Sequence, residues 1–453
     1  MPTSLATELI AAIATPAGRG GIGIVRLSGP DLQRVIDGVV GRALKPRVAT
    51  SANFVGAHGE TLDQGLALYF PAPASYTGET VLELHGHGGP AMLAQILRRC
   101  LDLGARLAEP GEFTKRAFLN GKIDLAQAEG VADLIDAATA TAARAAARSL
   151  SGAFSAEVGA LVDRLTELRM FTEATLDFPD EDIEFMQRAD AVGKLASLRE
   201  RLDSIAARSR QGSLLREGLD VVLIGQPNVG KSSLMNQLAG DDIAIVTPHA
   251  GTTRDAIRSS VEIRGIPLHI IDTAGLRESA DPIERIGIER TWATIARADL
   301  ALIVTDARES DQDADAAIVG RLPQSLRRIV VRNKIDLAGI EAKSSASGGA
   351  EEVWLSAKTG AGVELLREAM LAAAGAHEDM EGTFLARERH LHAMRMAGTH
   401  LDAAARHLQA SPPPLELFAE ELRRAQQSLS AITGEVSADD LLGVIFSRFC
   451  IGK

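Results

Sequence analysis

The stretch Gly225-Gln226-Pro227-Asn228-Val229-Gly230-Lys231-Ser232 decides the reading of this chain. It follows the apolar run Val221 to Ile224 and opens a helical pattern, so it has the form G-x-x-x-x-G-K-[ST] in the context that form requires, a strand running into a helix. Its glycines let backbone N–H groups close around phosphate oxygens at a helix N-terminus. Lys231 brings a point charge to the terminal phosphates, and the Ser232 hydroxyl, followed by Ser233, suits a Mg²⁺ shell.

Three further motifs lie downstream in the order a guanine nucleotide site needs. Asp272-Thr273-Ala274-Gly275 follows the apolar run Leu268 to Ile271, which puts a carboxylate at a strand end to hold a metal-bound water and the Gly275 N–H near the last phosphate. Asn333-Lys334-Ile335-Asp336 follows Ile329 to Val331, and the Asp336 carboxylate can accept from guanine N1–H and the exocyclic amine. Adenine lacks that donor pair, so the wrong base leaves polar groups unpaired. Ser356-Ala357-Lys358 then suits a backbone contact to guanine O6. Four motifs in register imply a P-loop domain that binds and hydrolyses GTP.

Working outward, the chain shows distinct textures. Strand-like runs at Val221 to Ile224, Val261 to Arg264, Leu268 to Ile271, Ala301 to Thr305, Ile329 to Val331 and Val353 to Leu355 alternate with helical ones, the signature of a doubly wound α/β layer. The Ser- and Gly-rich Lys343 to Gly349 reads as a flexible loop within it. Upstream, Ala137 to Arg148 is rich in Ala, and Leu161, Leu165, Leu168 and then Leu195, Leu198, Leu202, Ile205 recur at helical spacing. Helical texture returns after Asp379. The N-terminal part alternates short β-like runs (Ile22 to Leu27, Leu66 to Phe70, Val81 to Leu84) with Gly and Pro punctuation. The expected organisation is multidomain, α/β plus all-α. It comprises an N-terminal α+β domain over 1–119, a helical domain in two parts (120–215 and 379–453), and an inserted Ras-like P-loop domain over 216–378.

Composition bounds the rest. In 453 residues, 46% are hydrophobic and only 4% aromatic, so the cores rest on Ala, Leu, Ile and Val. A formal charge of -12 argues against a general cationic coat for nucleic acid. Two cysteines, Cys100 and Cys450, make no disulfide framework, and no apolar run is long enough to span a bilayer. These features suggest a cytoplasmic protein.

Between the first and third nucleotide motifs lies Thr247-Pro248-His249-Ala250-Gly251-Thr252-Thr253-Arg254-Asp255. Together with Asp272-Thr273-Ala274-Gly275-Leu276-Arg277, the N-terminal stretches Gly18 to Gly29, Thr77 to Pro90 and Phe113 to Glu129, and the terminus Phe449-Cys450-Ile451-Gly452-Lys453, it resembles the bacterial MnmE (TrmE) family of tRNA modification GTPases over essentially the whole chain.

That resemblance implies a homodimer working with the FAD-dependent protein MnmG. The pair would install an aminomethyl or carboxymethylaminomethyl group at C5 of the tRNA wobble uridine, with 5-formyltetrahydrofolate or a related tetrahydrofolate giving the carbon. Leu276 stands where a water-orienting Gln sits in Ras-like proteins, so the resemblance passes that role to Glu284. It implies K⁺ held by Asn228, Thr247, His249 and Thr252, Mg²⁺ held by Ser232 and Thr253, and folate contacts from Arg26, Glu83, Lys122 and Lys453. His249 departs from the aliphatic residue expected there. The competing class is a GTP-switched ribosome or RNA assembly factor, which has no use for a folate site.

Other features carry less. Gly18 to Gly23 formally contains G-x-G-x-x-G, but β-like Ile24-Val25-Arg26-Leu27 follows it where a dinucleotide fold needs a helix. His85-Gly86-His87 lacks further ligands, and both read as loop histidines. Asp177 to Glu184 lacks the spacing of a Ca²⁺ loop and reads as a solvated helix start. Cys450 suits either a reactive thiol or a small packed hydrophobe. Arg387, Arg389, His390, His392 and Arg395 suit either a tRNA surface or a solvated helix face.

Overall fold

A computed structural model describes residues 8–177, 190–239, 258–272, 295, 298–308, 320, 322–324, 326–347, 350–375, 383–435, 439–447, 449, 450 and 452. The chain forms two compact units: Met1–Ala132 with Leu150–Val162 and Gln426–Lys453, and Asp133–Ser149 with Asp163–Ala425. Among the described residues no helix is long and apolar enough to cross a membrane.

The first unit is built on a six-stranded sheet of β1 (Ile10–Ile13), β2 (Gly20–Gly29), β3 (Thr50–Val55), β4 (Thr61–Phe70), β5 (Thr80–Gly88) and β6 (Arg106–Leu107) in the order β3-β4-β5-β2-β1-β6. Alternation along the strands sends Val25, Leu27, Leu82, Leu84 and Ala67 into one buried cluster. A helical turn α1 (Gln33–Val35), its π-helical continuation Ile36–Val40, and helix α2 (Pro90–Asp102) add Val35, Ile36, Leu93, Ile96 and Cys100 to that cluster. Burial pushes the Cys100 thiol up to about 12, so it packs as an inert hydrophobe. Helices α3 (Glu112–Leu119) and α4 (Leu125–Asp136) follow. The Gly18 to Gly23 run does lead into β2, the local context that excludes a dinucleotide turn.

The second unit carries a seven-stranded sheet in the order β12-β13-β11-β10-β7-β9-β8. Its strands are β7 (Leu219–Ile224), β8 (Arg258–Ile263), β9 (Ile266–Asp272), β10 (Leu300–Asp306), β11 (Arg327–Asn333), β12 (Lys343–Ser347) and β13 (Ala350–Trp354). The five inner strands run parallel, and β8 and β12 add antiparallel edges. Burial on both faces explains the unbroken apolar runs of β7 and β10: Val221 and Leu223 belong to one core cluster, Val222 and Ile224 to another. The Ser- and Gly-rich Lys343 to Gly349, expected as a flexible loop, is corrected over Lys343–Ser347. Those residues pair with β13, because small hydroxyl side chains fit an exposed edge strand bonded on one side only. Helix α8 (Lys231–Ala239) follows β7, α9 (Ile335–Ala338) lies between β11 and β12, and α10 (Val363–Ala374) follows β13.

The flanking helical sequence forms long helices: α5 (Ala140–Leu150), α6 (Ala153–Asp177), α7 (Ala191–Glu217), α11 (Glu388–Gln409), α12 (Leu415–Thr433) and α13 (Asp439–Phe446). The periodic Leu195, Leu198, Leu202 and Ile205 are all buried on α7, as are Met394, Ala397 and Leu401 on α11. Near its C-terminal end α7 approaches the segment before α11 so closely that a Cβ on Gly212 would lie 1.6 Å from the Phe384 carbonyl oxygen. The Phe384 ring lies under two guanidinium groups, Arg208 at 5.0 Å and Arg148 at 5.5 Å. α5 joins the core of the sheet through Ala142, Ala145 and Ala146, and Thr139 just before it donates to the Gly265 carbonyl in the β8–β9 turn at 2.9 Å.

Gly212→Ala must push these backbones apart, so it should destabilise the folded chain by about 2 kcal/mol and lower its denaturation midpoint. An unchanged midpoint would show that the close approach is not required.

Candidate functional site

The phosphate loop begins where the central strand β7 ends. Gly225 has φ 157°, and a Cβ there would meet the Val304 carbonyl oxygen at 2.3 Å, so the chain turns tightly beneath β10. Asn228 and Gly230 take positive φ values of 65° and 98°, which wraps the backbone before α8 opens at Lys231. Val229 is buried and pins the loop, while Asn228, Ser232 and Ser233 are exposed. Lys231 Nζ donates to the carbonyls of Gly225 at 2.6 Å and Gln226 at 3.1 Å, so the ammonium lies over the loop itself.

The loops expected to read the base are fastened to it by one buried amide. Asn333 Nδ2 donates to the Val229 carbonyl at 2.7 Å, and its Oδ1 accepts from the backbone N–H of Lys334 at 2.8 Å and of Ala357 at 2.9 Å. Gly230 is needed for this approach, since a Cβ there would stand 2.3 Å from Asn333 Nδ2. Ser356 Oγ donates to Asp336 Oδ1 at 2.7 Å and orients an otherwise exposed carboxylate. Lys358 is exposed beside them. The structure thus brings together Asn228 to Ser233, Asn333 to Asp336 and Ser356 to Lys358. Asp272 ends β9, in register with Leu223 of β7. The Asp272 side chain, Thr247 to Thr253, Thr273 to Gly275 and Glu284 lie outside the described residues.

Sequence reasoning missed Asp306, the last residue of β10, which pairs in register with Asn333. Its buried carboxylate meets Lys334 Nζ at 2.9 Å and Arg308 Nη2 at 2.7 Å. The Arg308 guanidinium first, and the Lys334 ammonium after it, hold that carboxyl well below the usual range against the opposing effect of burial. The available signal was an acidic residue closing an apolar strand run beside the Asn333 strand.

On the first unit's sheet, Arg26 of β2 stands directly opposite Glu83 of β5, with Nε 2.8 Å from Oε1. His85 Nε2 lies 3.0 Å from the other Glu83 oxygen. The Arg26 guanidinium is 5.8 Å from the ring centroids of Tyr76 and Phe113, and the Tyr76 hydroxyl meets Thr114 Oγ1 at 2.8 Å. Lys122 Nζ donates to the Pro73 carbonyl at 3.2 Å, on the segment that carries Tyr76. The tail docks in the same unit: the Cys450 carbonyl accepts from Gly111 N–H at 3.3 Å, and Gly452 is buried against Ile13. Cys450 itself is exposed, and Lys453 lies outside the described residues.

Two readings need correction. His85 and His87 are strand residues of β5, where Glu83 engages His85 and the buried Asp63 holds His87 Nδ1 at 2.8 Å. Among the described residues no group of three potential ligands forms a metal centre. The stretch from Arg387 to Arg395 is not one outward basic face: His390 is buried, Arg387 pairs with Asp133 at 2.9 Å, and Arg395 pairs with Glu388 at 3.3 Å. The acidic run beyond Asp177 falls outside the described residues.

If Asp336 reads the two guanine donors, Asp336→Asn exchanges an acceptor for a donor and should favour xanthosine over guanosine triphosphate. Competition between the two nucleotides checks this, and an unchanged preference for GTP would remove Asp336 from base reading.

Comparisons with known proteins bear on the family of the chain. A family model described as "GTP-binding protein TrmE N-terminus" matches residues 9–122, and one described as "MnmE helical domain" matches 125–450. The chain is 60% identical over 448 residues to the tRNA modification GTPase MnmE of Laribacter hongkongensis, covering 98% of this chain and 99% of that one. It is 59% identical over 447 residues to the protein of the same name from Dechloromonas aromatica, covering 99% and 100%. With near-complete coverage in both directions, the chain belongs to the MnmE family of GTP hydrolases.

Proposed function

We propose that the protein uses GTP hydrolysis to drive tRNA modification. With an FAD-dependent partner of the MnmG type, it adds an aminomethyl or carboxymethylaminomethyl group to C5 of the wobble uridine of certain tRNAs, the carbon coming from 5-formyltetrahydrofolate or a related tetrahydrofolate. The observation that carries this reading is the presence in one chain of two built constellations: nucleotide loops fastened by Asn333, and a half-buried Arg26–Glu83 pair flanked by Tyr76 and Phe113. A GTP-switched assembly factor would need only the first.

In the nucleotide site the chain's own groups divide the work. Backbone N–H groups of the Asn228 to Ser233 turn and the Lys231 ammonium hold the phosphates, Asp336 selects the base, and Glu284 orients the attacking water where Leu276 cannot. Ser232, an exposed hydroxyl in the first turn of α8, fits one Mg²⁺ position, with Thr253 as its partner. Asn228 is an exposed residue of the loop, and its amide oxygen is a donor type that fits a hard monovalent cation completed by Thr247, His249 and Thr252. Bound there, K⁺ would offset charge developing between the last two phosphates, the task of an arginine finger elsewhere.

The N-terminal constellation fits a pterin. Glu83 already meets Arg26 and His85, yet a carboxylate has about four lone-pair sites and keeps capacity for amino and ring N–H donors. Arg26, Lys122 and Lys453 are cations suited to glutamyl carboxylates. The family resemblance supports a homodimer through this domain.

Mass spectrometry of tRNA from cells lacking the gene should show wobble uridines without the C5 group, and normal wobble uridines would sink the functional reading. GTP turnover should be about tenfold faster in K⁺ than in Na⁺ at equal ionic strength, in line with the loss of one electrostatic stabiliser. Equal rates would remove the potassium role.

A further inference from the structure

The pair of loops fastened by Asn333 has a neighbour that the nucleotide mechanism does not use. Asp306 ends β10 one strand away from the base-reading motif, and its successor Ala307 donates its N–H to the Asn333 carbonyl at 2.8 Å, so the two strand ends are locked side by side. The Asp306 side chain is 2% exposed. Three N–H groups of one residue already satisfy it: Arg308 N at 3.1 Å and Nε at 3.0 Å on Oδ1, and Nη2 at 2.7 Å on Oδ2. That fork takes three of the carboxylate's about four lone-pair sites. The contact from Lys334 Nζ at 2.9 Å takes a further one, so it holds Lys334 as well as Asp306.

Lys334 needs holding. It sits at φ 67°, a left-handed conformation that side-chain-bearing residues rarely adopt, between the fastening Asn333 and the base-reading Asp336. Its backbone N–H is fixed by Asn333 Oδ1 at 2.8 Å and its carbonyl accepts from Leu337 N–H at 3.0 Å. Only the long stem would otherwise move, and lysine has more rotamer freedom to lose than almost any residue. With the ammonium tied to Asp306, that freedom is lost on folding and not when the nucleotide arrives.

We propose that Asp306, itself held by Arg308, is a positioning residue that sets how long a guanine nucleotide stays bound, by fixing the ammonium of Lys334 so that its stem is preset at the base-reading loop. This rests on the assignment of the Asn333 to Asp336 loop to guanine binding. Asp306 acts through Lys334 and touches neither the phosphates nor the attacking water. Its influence therefore falls on nucleotide residence and KM, while the rate at saturating GTP stays close to the parent's.

Stopped-flow release of a fluorescent N-methylanthraniloyl-GDP from the full-length chain tests this, alongside GTPase KM and kcat. Asp306→Asn should release the nucleotide about tenfold faster, the scale expected for loss of a charge-assisted hydrogen bond. It should raise KM while leaving kcat within about twofold, because the phosphate and water groups are untouched. Lys334→Met, which keeps an apolar stem and removes only the ammonium, should release equally fast. The double variant should be no faster than Lys334→Met alone, since both changes cut the same tie. Arg308→Ala, which leaves the Lys334 contact in place, should change release less than Asp306→Asn. Parent-like release from Lys334→Met overturns the proposal even if Asp306→Asn does not fold. So do multiplicative effects in the double variant, or a fall in kcat with release unchanged. Failure of the parent chain to bind the fluorescent GDP at all is a different outcome and overturns the guanine assignment beneath it.

Discussion

One buried amide holds together the loops expected to bind the nucleotide. Asn333 spends both ends of its side chain on the backbones of separate loops, donating to the Val229 carbonyl and accepting from the Lys334 and Ala357 N–H groups. A buried amide that loses its partners keeps its desolvation cost, so phosphate loop and base-reading loops are stable only in mutual register. The glycine at position 230 follows from the same constraint, because a side chain there would displace the amide. The parallel strands β7, β10 and β11 deliver these loops to one edge of the sheet, the place where open α/β sheets bind ligands.

Charge is organised by pairing within the chain. The formal balance of -12 hides many cations already spoken for: Arg106 and Arg116 on Glu112, Arg199 on Asp402, Arg332 on Glu352, Arg387 on Asp133. Such pairs add little net stability when exposed, and when buried they fix geometry more than they stabilise. Among the described residues these arginines are engaged by carboxylates of the same chain.

The N-terminal sheet treats its two faces differently. One is closed by α2 with Leu93, Ile96 and Cys100, and the alternating residues of the other include Arg26, Glu83 and His85 in contact with one another. Tyr76 and Phe113 flank the Arg26 guanidinium, which lowers the cost of desolvating it and leaves its donors aimed at Glu83. That face therefore carries a charged patch lined by two aromatic rings.

The sequence by itself determined the local elements whose reason is local. The strand before the Gly225 turn and the helix after it follow from periodicity, and the apolar runs of β7 and β10 announce a sheet buried on both sides. The motif order from Gly225 to Lys358 points to a guanine nucleotide site from the chain alone. Only the tertiary structure decided what depends on residues far apart in the chain. The β12 strand escaped the reading because Ser and Gly composition reports flexibility, whereas pairing with β13 is a property of the neighbour. His85 and His87 look alike in sequence but answer to different carboxylates, and buried His390 is inseparable from its exposed neighbours until a helix face is packed. Asp306 carries no motif, and its meaning arises only where two parallel strands end side by side and bring Lys334 within reach of its carboxylate. Spacing fixes what is near in the chain, and packing fixes which partner a charge finds.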